Sequence, residues 1–414
     1  MVAPINESTL ENNTVFSIAD KQRKLNSAKD VDDIIDTIKQ MDDLQVIKLN
    51  GNTFGVDACE ALGKVLKEKK HLKQAILFDI FTGRLLHEIP PALKHLCDAF
   101  KKVDLLELDL SDNAFGPAGA EPLIDFLSNT KTLQTLRLNN NGLGLGGGAI
   151  IAKALQASAD KAKAENRPSS LRTIICGRNR LEDGSSEALA RAFSSHANLE
   201  VVRMPQNGIR SDGIRTIVEG LGNCKNLRHL DLQDNTFTKI GSQALADALH
   251  NWPQLEILNV SDCLLKKKGG LCVFQALKEG KNKQLREIYA QGNEIDHGAI
   301  SILAEAIKDH LSLLEKLELN GNRFEEDHDA VESLKKALAS YGHEGALDDL
   351  DDMEEVDDED ESEEEESEEE ESEEEEPELV MEAEEAEEKE PTEKSNIEKE
   401  VEDELIEKLS KTHI

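Results

Sequence analysis

One eleven-residue pattern, L-x-x-L-x-L-x-x-N-x-L, recurs along this chain and leaves it little choice of fold. It reads LQVIKLNGNTF at 44–54, LLELDLSDNAF at 105–115, LQTLRLNNNGL at 133–143, LRTIICGRNRL at 171–181 and LEVVRMPQNGI at 199–209. It continues as LRHLDLQDNTF at 227–237, LEILNVSDCLL at 255–265, LREIYAQGNEI at 285–295 and LEKLELNGNRF at 314–324, with a degraded copy, LKQAILFDIFT, at 72–82. The ten starts lie 28, 33, 28, 38, 28, 28, 28, 30 and 29 residues apart. A unit this short cannot bury its own apolar face, so stacked neighbours must share one continuous core. The x-L-x-L stretch alternates with period two and predicts a short parallel strand. The second half of each copy has helical spacing: in GSQALADALHNW, Ala244, Leu245, Ala248 and Leu249 share a face. The repeat Asn is polar at a turn that stacking buries, and its amide can satisfy backbone groups of the adjoining turn. Cys263 takes its place in the eighth copy, and Ile80 in the degraded one.

These features predict an α/β leucine-rich repeat solenoid, a ribonuclease-inhibitor-like horseshoe with parallel strands inside and helices outside. The expected parts are an N-terminal cap over 1–43, the repeat domain over 44–346, an acidic tail over 347–392 and a C-terminal amphipathic segment over 393–414. In that last segment Ile397, Val401, Leu405 and Leu409 recur every four residues. A final helix is expected near 328–346.

Charge separates body from tail. The chain of 414 residues carries a formal charge of −37, yet residues 348–388 hold 29 acidic residues and no basic one. The tail from 348 onward carries −32, which leaves −5 for residues 1–347. A polyanion of this composition cannot bury enough apolar surface to fold and is expected to be disordered. The same balance excludes a dominant basic nucleic-acid surface. There is no basic and apolar leader after Met1 and no run of about 18 apolar residues, so neither a secretory signal nor a transmembrane helix is expected. The six cysteines form no CxxC pair and read as buried free thiols of a reducing compartment.

Catalytic motifs are missing. There is no Walker A lysine motif, GxSxG or HExxH, and the histidines have no metal spacing. GLGLGG at 142–147 fits G-x-G-x-x-G, but it falls in register at the turn of the fourth copy with no Rossmann unit around it. A partner-binding surface is therefore expected, and no intrinsic active site, metal or cofactor. Interruptions of the repeat mark where such a surface lies. The two longest intervals, 72–105 and 133–171, both sit in the N-terminal half, and they point to the strand-to-helix edge of the first five copies. Arg84 follows a glycine in the first interval. Asn140 stands directly before the repeat Asn141. Arg178 and Arg180 flank Asn179. Read singly, each of these is an ordinary solvated turn residue.

The segments FDIFTGRLLHEIPPAL (78–93), LDLSDNAFGPAGAEPLIDFLS (108–128), RLNNNGLG (137–144), ICGRNRLEDGS (175–185), QNGIR (206–210) and LDLQDNTFT (230–238) together resemble the Ran GTPase-activating protein family, fungal type. The resemblance extends to the acidic tail and the LSKTHI ending. It implies an activator that binds Ran-GTP along the repeat edge and speeds GTP hydrolysis in support of nucleocytoplasmic transport. GTP and Mg²⁺ would be held by the partner. By motif match, Asn140 is the residue that holds Ran's catalytic Gln, without an arginine finger. The FTGR arginine, Arg84, is the second activity-determining residue and orients the interface. Asp79, Asp112, Asn139 and Arg178 fall on the same partner-binding edge. The resemblance also implies a monomer in the cytoplasm, with perinuclear association or shuttling and a Ran-binding protein as a further partner. The tail then serves as an electrostatic guide for a basic partner, or simply as a solubilising or docking strip.

Two other readings share parts of this layout. An acidic leucine-rich protein acting as a histone chaperone or phosphatase regulator shares the tail, but it has shorter, helix-poor repeats. A ribonuclease-inhibitor-like binder shares the repeat length, but it needs no acidic tail and is far richer in cysteine.

Overall fold

The leucine positions of the pattern become the core. Leu227, Leu230 and Leu232 are wholly buried, and so are their equivalents Leu105, Leu108 and Leu110. The polar residues between them face out of the strand. Each copy yields a three-residue strand, too short to persist alone and stable only within a ladder. The protein is described by a computed structural model covering residues 14–353. Residues 1–13, the acidic run beyond Met353 and the expected segment 393–414 lie outside the described residues.

The strands are β1 Val15–Ser17, β2 Lys24–Leu25, β3 Val46–Lys48, β4 Thr53–Phe54, β5 Gln74–Ile76, β6 Glu107–Asp109 and β7 Thr135–Arg137. They continue as β8 Thr173–Ile175, β9 Val201–Arg203, β10 His229–Asp231, β11 Ile257–Asn259, β12 Glu287–Tyr289 and β13 Lys316–Glu318. Among the described residues all but β2 and β4 form one eleven-stranded sheet in chain order, and every pair is parallel and in register, as in Leu136↔Ile174. The degraded copy contributes β5 like any other, and β1 adds a strand that the ten copies did not predict. The helices are α1 Asp32–Lys39, α2 Val56–Leu66, α3 Ile89–Phe100, α4 Ile124–Asn129, α5 Gly144–Ala164 and α6 Ser186–Ser195. After them come α7 Ser211–Leu221, α8 Thr238–Leu249, α9 Lys266–Lys278, α10 His297–His310 and α11 Asp329–Ala339. Successive helices from α4 to α11 pack on one another. Strands repeat every ~4.8 Å, whereas packed helices need about 8–10 Å. The array therefore bends with its strands inside. None of the described helices is long and apolar enough to cross a membrane.

The repeat asparagines form a buried amide ladder. Asn141 Oδ1 accepts from Asn113 N at 2.9 Å, while its Nδ2 donates to the carbonyls of Leu110 and Leu138, both at 3.0 Å. The same acceptor step joins Ile80 to Asn113, Asn141 to Asn179, Asn179 to Asn207 and Asn207 to Asn235. Asn52 ties in the N-terminal strands by accepting from Arg23 N at 3.0 Å. Cys263 interrupts the series. Its thiol donates to Leu232 O and Ser261 O, and only sulfur faces the Asn235 N–H.

The interrupted copies have local causes. In the third copy the expected full helix is a six-residue α4 preceded by 3₁₀ turns at Pro117–Gly119 and Glu121–Leu123, because Pro117 and Pro122 lack the N–H that an α-helix needs. The 133–171 interval lengthens α5 to 21 residues, followed by a loop. His196, at the end of α6, fastens that loop. Its Nε2–H donates to Leu155 O at 2.8 Å, and its Nδ1 accepts from the Ser169 hydroxyl. Within GLGLGG, Gly142 (φ +64°) and Gly144 (φ +60°) turn the backbone through the left-handed region, and a Cβ on Gly147 would stand 3.2 Å from Pro117 Cα; the next residue, Gly148, packs tighter, with a Cβ there 2.6 Å from Leu181 Cδ2.

At the far edge, residues 347–353 do not begin a free tail. Leu317 N donates to Ala346 O at 2.7 Å and Asp348 N to Leu317 O at 3.0 Å, so this segment covers β13. The Asp348 carboxylate accepts from the N–H groups of Leu319 and Asn320. All six cysteines are free. Five are buried and Cys272 is half-buried, and burial pushes the Cys59, Cys176 and Cys224 thiols up to about 12.

The ladder predicts opposite outcomes at two equivalent positions. Asn207→Ala strands Asn179 N and the carbonyl of Cys176, leaves Met204 O to Asn235 Nδ2 alone, and should cost about 2–4 kcal/mol. Cys263→Asn supplies the missing acceptor and should add about 1 kcal/mol. Guanidinium unfolding midpoints read both. His196 predicts a pH effect. Burial lowers its folded pKa to about 4, below the ordinary 6.5. Its contribution is complete above pH 6.5 and is lost as pH falls toward 4, because the unfolded chain takes up a proton that the folded chain refuses. The difference in stability between the native chain and His196→Gln should shrink over that interval, by up to about 3 kcal/mol.

Candidate functional site

The ladder fixes more than the core. The residue just before each ladder position must turn the backbone through the left-handed region, so that the next side chain points inward and its own points out. Asp20, Gly51, Asp79, Asp112, Asn140, Arg178, Gln206, Asp234, Asp262, Gly292 and Gly321 all have φ between +49° and +70°. They form one row along the strand-to-helix edge. Asp112 N donates to Asn139 O at 2.8 Å, Asn140 N to Gly177 O at 2.9 Å and Arg178 N to Pro205 O at 2.9 Å, so consecutive members stand side by side. Asp, Asn and Gly enter this region at little cost. Arg178 does not, and Arg180 (+54°) and Glu182 (+46°) in the same turn share the conformation. Non-glycine residues held this way cost on the order of 1 kcal/mol or more each, so the fifth copy concentrates backbone strain beside Asn140.

Four of the six residues singled out from the sequence (Asp79, Asp112, Asn140 and Arg178) are successive members of this row. Asn140 is exposed, and its Nδ2 donates to Asp112 Oδ1 at 2.9 Å. A carboxylate only accepts, so this contact fixes the amide's orientation and leaves Asn140 Oδ1 directed outward. Asn139, the residue before, turns back into the chain: its Oδ1 accepts from Gly177 N at 2.6 Å and braces the two copies. Asp79 accepts from the Thr82 hydroxyl within its own loop. Arg178 is exposed next to Asn140 in the row, with no side-chain partner for its guanidinium among the described residues.

Arg84 sits differently. Its guanidinium turns toward the N-terminal copies, away from Asn140. Nε donates to Thr53 Oγ1 at 2.8 Å, Nη1 to Asn26 Oδ1 at 2.7 Å, and Nη2 to the carbonyls of Thr53 (2.8 Å) and Leu25 (3.3 Å). Four internal acceptors hold a half-buried side chain that sequence alone reads as solvated. The loop that carries it is therefore clamped to β2 and β4.

The sequence reading missed that these candidates share a column. Aligning the copies on the ladder position and reading one residue earlier gives Asp79, Asp112, Asn140, Arg178, Gln206, Asp234 and Asp262 directly. Beyond Arg178, Gln206, Asp234 and Asp262 line an open groove with Leu264 and Gly292. The inner strand face adds cross-strand ion pairs, Arg137 with Glu107 and Arg203 with Asp231, both at 3.0 Å. Desolvation raises the carboxyl of Asp109 on the same face above the usual range. Among the described residues no three His, Cys, Asp or Glu converge as a metal site.

A leucine-rich repeat family model matches residues 103–123 and 223–246. The chain is 48% identical over 339 residues to Ran GTPase-activating protein 1 of Xenopus laevis, covering 81% of this chain and 58% of that relative. It is 41% identical over 335 residues to Ran GTPase-activating protein 1 of Saccharomyces cerevisiae, covering 78% of this chain and 82% of the relative. To the Ran GTPase-activating protein of Drosophila melanogaster it is 39% identical over 211 residues, 49% of this chain and 35% of the relative. The chain thus spans little more than half of the Xenopus relative and most of the yeast one. With 41% identity over most of both this chain and the yeast relative, the protein belongs to the Ran GTPase-activating protein family.

Proposed function

We propose that this chain is a GTPase activator for Ran, and that the nucleotide, its Mg²⁺ and the attacked phosphate all remain on the GTPase. In phosphoryl transfer the protein's work is positioning and charge stabilisation, and a glutamine of the GTPase orients the attacking water. Asn140 is the residue that steadies that glutamine. Its Nδ2 is committed to Asp112, so its exposed Oδ1 is a fixed acceptor for the glutamine's NH₂, and the glutamine carbonyl is then free to hold the water. The held amide is the observation that carries this reading. The committed guanidinium of Arg84 supports a finger-free mechanism. Arg84 would act by holding the 79–88 loop in shape, and Arg178 would meet the partner as a surface cation.

Asn140→Ala should lower the single-turnover rate of GTP hydrolysis on Ran, at saturating activator, roughly 10²-fold or more, with a smaller effect on binding. Arg178→Ala should instead raise the half-saturating activator concentration and leave the maximal rate. An unchanged rate for Asn140→Ala removes it from the mechanism, and a collapsed rate for Arg178→Ala makes that arginine the catalytic cation.

Arg84→Lys keeps the charge but loses the planar fork. It should reduce both the activity and the protease resistance of the 79–88 loop. Full activity in that variant would exclude a role for the guanidinium geometry.

A further inference from the structure

The first interruption of the repeat leaves something that neither the ladder nor the amide mechanism uses. Leu85 and Leu86 are 62% and 61% exposed, the two most exposed large apolar side chains among the described residues. They follow Arg84 in a loop that leaves the left-handed row at Asp79, one copy before Asp112. Exposed leucines in a floppy loop would need no explanation. These are held rigidly. Arg84 anchors the loop through its four side-chain bonds, and its own N–H donates to Phe81 O at 3.0 Å. Leu85 N donates to Glu88 Oε2 at 2.9 Å, and Glu88 N donates back to Leu85 O at 2.9 Å. This closes a turn ahead of α3, where Pro90 and Pro91 fix the helix start. Several part-buried and exposed hydrogen bonds thus hold an apolar pair toward solvent. Such pre-organised apolar residues beside a polar edge mark an interaction site.

We propose that Leu85 and Leu86 are an apolar anchor for the GTPase, seated in a hydrophobic depression on its surface while the row from Asp112 to Arg178 engages its nucleotide side. This rests on the Ran reading above. The occupant follows from continuity: the loop is an outgrowth of the same edge, in a copy five residues longer than the commonest 28-residue spacing, next to the copy that carries Asp112 and one copy further from Asn140. The contact also gives Arg84 its purpose. Its clamp sets the height and direction of the two leucines, so loss of Arg84 removes an anchor and not a catalytic charge.

The test titrates the full chain against Ran-GTP under single-turnover conditions and reads the half-saturating concentration and the maximal rate separately. Leu85→Ser/Leu86→Ser should raise the former roughly 10- to 100-fold and leave the latter in place. Leu85→Met/Leu86→Met should stay close to the native chain. Both positions are exposed, so thermal unfolding should not move, and a fold defect would be visible there. An unchanged half-saturating concentration in a chain that activates Ran overturns the anchor alone. A native chain that does not stimulate Ran at all overturns the functional reading and the anchor with it. If the serine pair instead abolishes self-association, or binding of a 393–414 peptide, with no shift in the titration, the leucines serve the chain itself and the proposal fails.

Discussion

A buried amide shared between two adjacent turns governs this structure. Each ladder asparagine answers a backbone N–H of the copy before it and carbonyls of both copies, groups that stacking has cut off from water. Unpaired, each would cost about 1–3 kcal/mol. The only backbone path that lets every amide reach its neighbours passes the preceding residue through the left-handed region. The core therefore dictates a row of outward-facing positions that favours Asp, Asn and Gly but does not fix which residue stands at each. Asp112, Asn140, Arg178 and Gln206 differ while their backbones coincide. Chemistry can change at this edge without disturbing the fold beneath.

The same constraint makes the edge stiff. Asn140 hangs from a backbone held by Gly177 O on one side, and its amide is held by Asp112 one copy away. Asn139 closes the frame from below through Gly177 N. An Asn at this position lies in a conformation that Asn tolerates well, so its placement is inexpensive. Arg178 is not so favoured, and its turn holds two further non-glycine residues in the left-handed region, Arg180 and Glu182. Departures of that kind gather where a side chain matters more than the backbone that carries it.

Much of this was readable in the sequence because periodicity is a local signal that repeats. Ten copies of one pattern fixed the strands, the ladder and the expectation that glycines 142–147 serve a turn. What escaped depends on distant or single residues. The seat of Arg84 is built from Asn26 and Thr53, which lie 58 and 31 residues away, and nothing near Arg84 announces them. The short α4 follows from Pro122, one residue inside an otherwise helical stretch. Composition alone assigned residues 347–353 to the tail, although Asp348 finds backbone donors at the last strand. Six candidates were named singly, although the position before each ladder residue unites four of them in the sequence itself, and φ gives that column its physical meaning.

An amide suits such an edge better than a guanidinium would. A neutral group sheds its water at smaller cost than a charge when two protein surfaces close over it. It can act only if its distance and direction are already right, because it has no long-range field to compensate for misplacement. A solenoid meets that demand: each copy is bonded to the next through strand, turn and helix, so one exposed side chain inherits the rigidity of the whole stack. A flexible loop could deliver an arginine, whose charge reaches further, but it would hold an amide poorly. The fold and the proposed finger-free chemistry are thus two sides of one physical choice, in which precision of placement takes over the work that a mobile charge would otherwise do.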